Sequence, residues 1–186
     1  MKHLIIIVFT FFYLNGFAQY SERFKNLIEP LKKIETEIDT IFYSNGKPEF
    51  IIVRTNHQYN DEIVRTKFGT SHVFYRNGEV ARKTQIDDYG NYINEKLFDR
   101  KGNLTEERIT TKIDNRAKNI SEYLSDLSFG DYDKTINYYR YSKRLDSWYK
   151  HKVEYLKLIN SKGVEVRNYF DENGELLKTK SKDYRL

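Results

Sequence analysis

A short motif that ends in glycine recurs along the chain and constrains the fold more than any other feature. Each copy has phenylalanine four residues before the glycine, asparagine or lysine directly before it, and usually an aliphatic residue two positions after it. The glycines of the four copies are Gly46, Gly78, Gly102 and Gly174. Asn-Gly favours positive φ at both central positions, as a type I′ hairpin turn requires. The Lys-Gly copy predicts a three-residue loop with a left-handed glycine.

The spacing of these motifs predicts a β protein. Two weaker copies, around Gly90 and Gly163, lack the phenylalanine. Turn signals every 8–12 residues or so, separated by segments in which apolar and polar residues alternate, are typical of a β-meander, sandwich or barrel. We predict a mainly β fold, an antiparallel β-hairpin repeat meander of roughly ten strands in an open curved sheet. A β domain without repeats is the alternative.

Two segments have the pattern of helices. A short N-terminal helix is predicted at 21–29, where Ser21 is a suitable N-cap and Pro30 stops the helix. A second, inserted helix is predicted at about 115–129, where apolar residues form one stripe. Because no linker rich in proline or serine separates the two halves, residues 19–186 are predicted to form a single β-repeat domain.

The first 18 residues match a secretory signal peptide. Lys2 precedes the uncharged, mostly apolar run Leu4–Leu14, and the small residues Gly16 and Ala18 place the cleavage site before Gln19. The apolar run is about half the length of a membrane span. We therefore predict an exported protein, periplasmic or secreted, with no membrane span after cleavage; an uncleaved anchor is the alternative.

Composition narrows the function further. The chain has no cysteine, which excludes disulfides, a thiol nucleophile, an iron–sulfur cluster and an acylated cysteine. Its formal net charge is +5, and the predicted leader contains one of the basic residues. The exported part is thus only mildly basic. Together with export, this argues against a nucleic-acid partner.

The repeats resemble two known groups. Phe42–Lys47 and Phe74–Glu79 resemble the variant MORN repeats of exported bacterial proteins, in which an aromatic pair runs into Asn-Gly-Lys. Phe98–Leu104 and Phe170–Leu176 resemble the YD repeat, with its aromatic-Asp-x-x-Gly-x-Leu pattern. Both groups imply meandering β structure, and neither implies a catalytic residue. The chain lacks the tryptophan and second glycine of MORN repeats and the copy number of YD repeats, so no functional residue is carried over.

No motif in the sequence points to catalysis. His57, His72 and His151 do not have metal-ligand spacing, and Asp131 and Asp133 lack the other ligands of a calcium loop. The nucleophile-elbow, P-loop and dinucleotide motifs are absent. We predict no catalytic residue, no metal and no cofactor. A pair of glycosidase carboxylates could be recognised only by its separation in space.

The segment 134–152 is the candidate binding region, since it interleaves aromatic and basic residues and contains one acid, Asp146. Aromatic rings stack on sugars, cations hold carboxylates or phosphates, and Tyr, Trp and Arg are favoured at protein interfaces. The predicted partner is a protein or an anionic glycan. A hairpin with aromatics on one face and bases in water is the structural alternative. The predicted binding residues are Tyr139, Arg140, Tyr141, Arg144, Trp148 and Tyr149.

The sequence favours an exported, non-catalytic binding or scaffold protein of the bacterial cell envelope. One alternative is a secreted or periplasmic glycan hydrolase with carboxylates on the concave face of the sheet. Another is an inhibitor or immunity-type partner of a secreted toxin. A hydrolase needs two acids at working distance, one of them with a raised pKa. A binding protein needs only a continuous exposed aromatic patch.

Overall fold

The computed structural model describes residues 19–125, 130–159 and 162–185, and this part of the protein is mainly β. Twelve strands form one sheet, and two short helices accompany it. The strands are β1 (Gln19–Tyr20), β2 (Lys32–Phe42), β3 (Pro48–Tyr59), β4 (Glu62–Lys67), β5 (Gly69–Phe74), β6 (Val80–Ile86), β7 (Tyr92–Phe98), β8 (Leu104–Asn115), β9 (Gly130–Ser142), β10 (Ser147–Ile159), β11 (Lys162–Phe170) and β12 (Leu176–Arg185). The helices are α1 (Glu22–Ile28) and α2 (Ile120–Ser125).

The sheet is an open meander. Its strand order is β2-β3-β5-β6-β7-β8-β9-β10-β11-β12, and each strand pairs antiparallel with the next. Off this path, β4 pairs with β3, and the two residues of β1 pair parallel with β8. The predicted fold class, with its short N-terminal helix and inserted helix, is confirmed. The predicted signal peptide and residues 126–129 of the predicted insert lie outside the described residues.

The repeat turns all lie at one end of the strands, here called the repeat-turn end. In each turn the first amide donates to the fifth carbonyl, and the glycine amide donates to the first carbonyl; for Gly46 to Tyr43 the N···O distance is 3.0 Å. The weaker copy at 87–91 has the same bonds at the opposite end. The four turns at the repeat-turn end are 43–47, 75–79, 99–103 and 171–175.

The predicted type I′ turns are wrong for the Asn-Gly copies. Among the described non-glycine residues, positive φ occurs only at Asn60 and Asp146, so the asparagines before the repeat glycines do not have it. Each turn is instead a type I turn followed by a left-handed glycine. The hairpins accommodate the extra residue as a bulge: Phe42 pairs with Pro48, while Ile41 pairs with Phe50. Asn-Gly and Lys-Gly copies therefore adopt the same three-residue loop.

The turn predicted at the weaker copy around Gly163 is also wrong. Gly163 is buried within β11, where it pairs with Leu158, and it is not among the glycines with positive φ. The last described pair of β10 and β11 is Ile159 with Lys162, and residues 160–161 lie outside the described residues. A glycine spacing of eleven residues was therefore an unreliable indicator of a turn at this position.

Neighbouring repeat turns are joined by hydrogen bonds. The Tyr43 hydroxyl donates to the Phe74 carbonyl at 2.6 Å, and the Tyr75 hydroxyl donates to the Phe98 carbonyl at 2.7 Å. The side-chain amides of Asn45 and Asn77 also donate to backbone carbonyls of the next turn, at 3.2 and 3.3 Å. The third turn has Asp99 in place of the tyrosine, so this series ends there. We call these contacts the turn ladder.

The aspartate turns are stabilised from within. Asp99 accepts hydrogen bonds from the backbone amides of Lys101 and Asn103, at 2.8 and 3.0 Å. Asp171 accepts equivalent bonds from the backbone of its own turn. Such bonds to a turn's own backbone are typical of aspartate at the first turn position. The two sequence variants of the motif thus correspond to two ways of fixing one backbone shape.

The hydrophobic core lies at the opposite end of the strands, the helix end. Its buried residues come from α1, α2, β8 and the connections beside them, and they are Phe24, Ile28, Leu31, Ile113, Ala117, Ile120 and Tyr123. Ser21 caps α1 as predicted, accepting a bond from the Phe24 amide at 3.0 Å. Both described helices belong to this cluster, so the sheet nearer the repeat-turn end has no helix on it. Neither of these helices is long and apolar enough to cross a membrane.

Candidate functional site

The structure divides the predicted binding residues between the two faces of the sheet. In the β9–β10 hairpin, Tyr141 pairs with Trp148 and Arg140 pairs with Tyr149. Paired residues share a face, and successive residues in a strand point to opposite faces. One face therefore carries Tyr139, Tyr141 and Trp148, and the other carries Arg140 and Tyr149. The six residues do not form one surface.

The face with the tryptophan presents an exposed aromatic pair. The rings of Tyr141 and Trp148 meet edge to face, 6.1 Å apart between centroids. The two residues are 42% and 37% exposed. The neighbouring repeat turn lies beside them, so that a shallow open site forms between the hairpin and the turn. We call this site the Trp148 surface; it consists of Asp99, Arg100, Lys101, Asn103, Tyr141 and Trp148.

The acids near the Trp148 surface are engaged within the protein. Hydrogen bonds from the side chain and then the backbone amide of Asn103 hold the pKa of Asp99 below its usual range. Asp146 accepts a hydrogen bond from Tyr141, which raises the pKa of that phenol. In the described part of the chain, Arg100 and Lys101 form no ion pair with a carboxylate. The surface therefore combines exposed rings with two cations that have no carboxylate partner among the described residues.

Tyr139 is less available than the sequence suggested. Its hydroxyl lies 3.4 Å from a carboxylate oxygen of Glu107, and burial together with this carboxylate raises its pKa. Glu107 also forms an ion pair with Lys96 at 3.3 Å. Tyr139 thus belongs to a polar network that spans β7, β8 and β9.

The opposite face has a cleft between β9, β10, β11 and the last hairpin. We call it the Arg140 cleft; its lining includes Arg140, Arg144, Tyr149, Lys152, Tyr169 and Lys178. Arg144 comes from the β9–β10 turn and binds Glu172 and Asn173 of the next turn, at 3.3 and 3.1 Å. Tyr149 packs against His151, with 6.4 Å between ring centroids. Arg144 therefore joins two hairpins and is not a free ligand-binding cation.

A row of buried carboxylates was not predicted. It lies on the face of the sheet that carries Arg140, here called the Arg140 face. Glu154 is 6% exposed and contacts Lys152 at 2.9 Å and Arg167 at 3.0 Å. Burial alone would raise its pKa, but the hydrogen bonds from Lys152 and Tyr138 prevail and lower it. The sequence did contain a signal, since opposite charges two residues apart, as in Lys152 and Glu154, lie on one face of a strand.

Glu95 and Glu165 extend this row and are also paired. Glu95 is 6% exposed and binds Arg108 at 2.7 Å. Glu165 is 7% exposed and forms an ion pair with Arg167. Each of these three glutamates therefore has a cation on the same face of the sheet. Cross-strand pairs of opposite charge on one face, such as Glu95 with Arg108 and Glu154 with Arg167, stabilise strand pairing.

Within the described ranges, no group of three or more histidine, aspartate or glutamate side chains is arranged to hold a metal ion. Comparison of the sequence with models of known protein families and with curated proteins finds no match. The chemistry of the Trp148 surface and of the Arg140 cleft is therefore the basis on which a function can be assigned.

Proposed function

We propose that the protein is an exported, non-catalytic binding module of the bacterial cell envelope that holds an anionic polysaccharide on the Trp148 surface. The observation that carries this proposal is the exposed Tyr141–Trp148 pair beside two cations that have no carboxylate partner. Aromatic faces stack on sugar rings, and Arg100 and Lys101 can bind the carboxylate or phosphate groups of the polymer. A rigid sheet loses little conformational entropy on binding.

The carboxyl groups favour binding over hydrolysis. A glycosidase needs an acid whose pKa is raised, so that it is protonated when the bond breaks. Among the described residues, every carboxyl group with a clearly displaced pKa has it lowered: Glu37, Asp99, Asp114, Glu154 and Asp171. The buried glutamates on the Arg140 face are paired with cations. These carboxylates support strand pairing rather than acid catalysis.

Export and the repeat type are proposed on the sequence. The predicted cleavage site precedes Gln19, and this residue begins β1, which pairs with β8. We further propose that the hairpins with tyrosine turns are of variant MORN type and those with aspartate turns are of YD type.

Polysaccharide binding is tested with polygalacturonate as the anionic polymer and dextran as the neutral one. We expect Trp148→Ala to weaken polygalacturonate binding about tenfold, or about 1.4 kcal/mol, as expected when an aromatic anchor of a binding surface is truncated. Lys101→Gln should weaken it several-fold. Arg140→Gln is the matched control, because it also removes one exposed positive charge but lies on the opposite face. Binding is measured by isothermal titration calorimetry.

Two results would contradict the proposal. An equal loss of affinity from Arg140→Gln and Lys101→Gln would mean that the polymer senses net charge rather than the Trp148 surface. A loss of thermal stability in Trp148→Ala as large as its loss of binding would mean that the ring is part of the packing. The calorimetric affinities decide the first case. Circular dichroism melting curves of the three variants decide the second.

A further inference from the structure

Both outer strands of the sheet are open, and they differ in charge. The strand order ends with β2 on one side and β12 on the other, and no described strand pairs with the outer edge of either. Each edge strand is about ten residues long, and alternate residues direct their backbone N–H and C=O groups outward, where another strand could pair with them. On one face, β2 carries Glu35, Glu37 and Asp39, and β12 carries Lys178, Lys180 and Lys182.

We propose that copies of this chain join edge to edge, with β2 of one copy pairing antiparallel to β12 of the next. The path between the edges contains ten strands of alternating direction. Because ten is even, β12 of one copy and β2 of an equally oriented second copy run antiparallel, like all neighbours along the path. The contact joins two different surfaces, so it can repeat and build an extended sheet.

The sheet itself fixes the register of this contact. We consider the strand pairs whose connection lies at the helix end. In each of them, the last paired residues toward the repeat-turn end lie on one line across the sheet. These pairs are Phe50 with Val73, Arg82 with Leu97, Glu106 with Tyr138, and Lys152 with Tyr169. The outermost residues at this level are Ile41, which pairs with Phe50, and Lys178, which pairs with Tyr169. Continuing the pattern therefore places Ile41 opposite Lys178.

This register brings opposite charges together. Two residues further along each strand, Asp39 comes opposite Lys180, and after another two residues Glu37 comes opposite Lys182. Such cross-strand pairs of opposite charge are favourable. On their inner side Asp39 and Glu37 already bind Arg54 and Arg65. Their side chains remain 44% and 34% exposed, which leaves room for a lysine from outside.

Apolar side chains reinforce the contact. The β2 edge leaves Ile38 69% exposed and Phe42 59% exposed, and Leu176 and Leu177 at the start of β12 are 58% and 65% exposed. Edge pairing at the same level would bring Phe42 beside these leucines at the repeat-turn end. Burial of this area adds a favourable term that does not depend on salt.

A symmetric dimer fits these edges less well than a head-to-tail array. Antiparallel pairing of β2 with a second β2 would place the acidic row against itself on one face. Pairing of β12 with a second β12 would do the same with the lysines. Like charges directly opposite each other destabilise a strand pair. The complementary row for each edge is on the other edge of the same chain.

Cysteine cross-linking tests the contact and its register, since the chain contains no cysteine. The register puts Thr40 opposite Thr179, and within one copy these residues are on the order of 40 Å apart across nine strand spacings. The double variant Thr40→Cys/Thr179→Cys, made in the full chain and treated with a mild oxidant, should give a ladder of oligomers on a non-reducing gel. Each single-cysteine variant can give at most a dimer.

The matched control is Thr36→Cys/Thr179→Cys, which moves one thiol four residues along the same face of β2. It should give at least fivefold less cross-linked product, because four residues displace the thiol by about 13 Å. Raising the salt from about 0.05 to 1 M should reduce the ladder of the matched pair, because the charge pairs are then screened. Monomer alone from the matched pair, or an equal ladder from the mismatched pair, would overturn the proposal.

Discussion

The glycine that closes each repeat turn is required for its backbone conformation and not for its small size. Gly102 has a φ of +82°, in the left-handed region. A Cβ placed on it would come no closer than 3.8 Å to its nearest neighbour, a carboxylate oxygen of Glu79. This distance is an ordinary contact. What disfavours a side chain at this position is therefore the left-handed backbone, which only glycine and, to a lesser extent, asparagine adopt readily.

Substitution of this glycine separates the two effects. We expect Gly102→Val to lower the free energy of unfolding by about 1–2 kcal/mol, since a β-branched residue resists positive φ. Gly102→Asn should cost clearly less, because asparagine tolerates positive φ although it also adds a side chain at this position. Urea denaturation of both variants provides the measurement. Equal losses from the two variants would show that space, rather than backbone conformation, limits the position.

At the scale of the element, each hairpin is stabilised by the next one as well as by its own turn. The turn ladder connects the turn after β2 to the turn after β5, and that turn to the one after β7. Arg76 lies over the Tyr43 ring at 5.7 Å, and Arg100 lies over the Tyr75 ring at 5.9 Å. The tyrosine at the first position of each of these turns thus stabilises the contact between neighbours.

Removal of the ladder hydroxyls tests this role. Tyr43→Phe and Tyr75→Phe each delete one hydrogen bond to a carbonyl of the next turn. We expect each to cost about 0.5–1.5 kcal/mol in the free energy of unfolding. Tyr155→Phe is the control, because Tyr155 is 48% exposed and its hydroxyl has no hydrogen-bond partner in the described part of the protein. A control variant as destabilised as the ladder variants would argue against the turn ladder.

The fold was largely predictable at this scale because its signals are local. Alternation along β2 and the glycine of each turn specify strands and hairpins without reference to the rest of the chain. The turn type was not predictable from Asn-Gly alone, since the choice between two- and three-residue loops depends on the bulge after the turn. The turn ladder was also missed, although the tyrosine after Phe42 and the one after Phe74 occupy equivalent positions.

The candidate site was predictable only in part. Alternation already implies that Tyr141 and Arg140 point to opposite faces. Whether Trp148 joins the tyrosine or the arginine depends on the length of the turn between the strands and on the pairing across it. The bulge at His151 also changes the register within β10. Local composition therefore located the binding region, and the pairing between strands decided which residues share a surface.

At the scale of the whole molecule, stability is concentrated at the helix end. The buried cluster lies there, and Asp114 connects α1 to β8 through bonds from Ser21 and Arg23, with the Arg23 contact at 2.6 Å. Burial alone would raise the pKa of Asp114, but the bonds from Arg23 and Ser21 prevail and lower it. Asp114 thus holds the start of α1 against β8 at the helix end, where the apolar core forms.

Acid should therefore release the helix end. Since the pKa of Asp114 is lower in the folded state than in the unfolded chain, its stabilising effect is fully present above the unfolded value of about 4 and is lost as pH falls through the folded value. We expect Asp114→Asn to cost about 1–2 kcal/mol at pH 7 and to flatten the fall in stability below pH 4 or so. Asp61→Asn, at the exposed turn between β3 and β4, makes the same chemical change without such bonds. Urea midpoints measured across this pH range should then decline in parallel for the control and the unmodified protein. An Asp114→Asn variant whose midpoint declines just as steeply would show that this carboxylate does not anchor the helix.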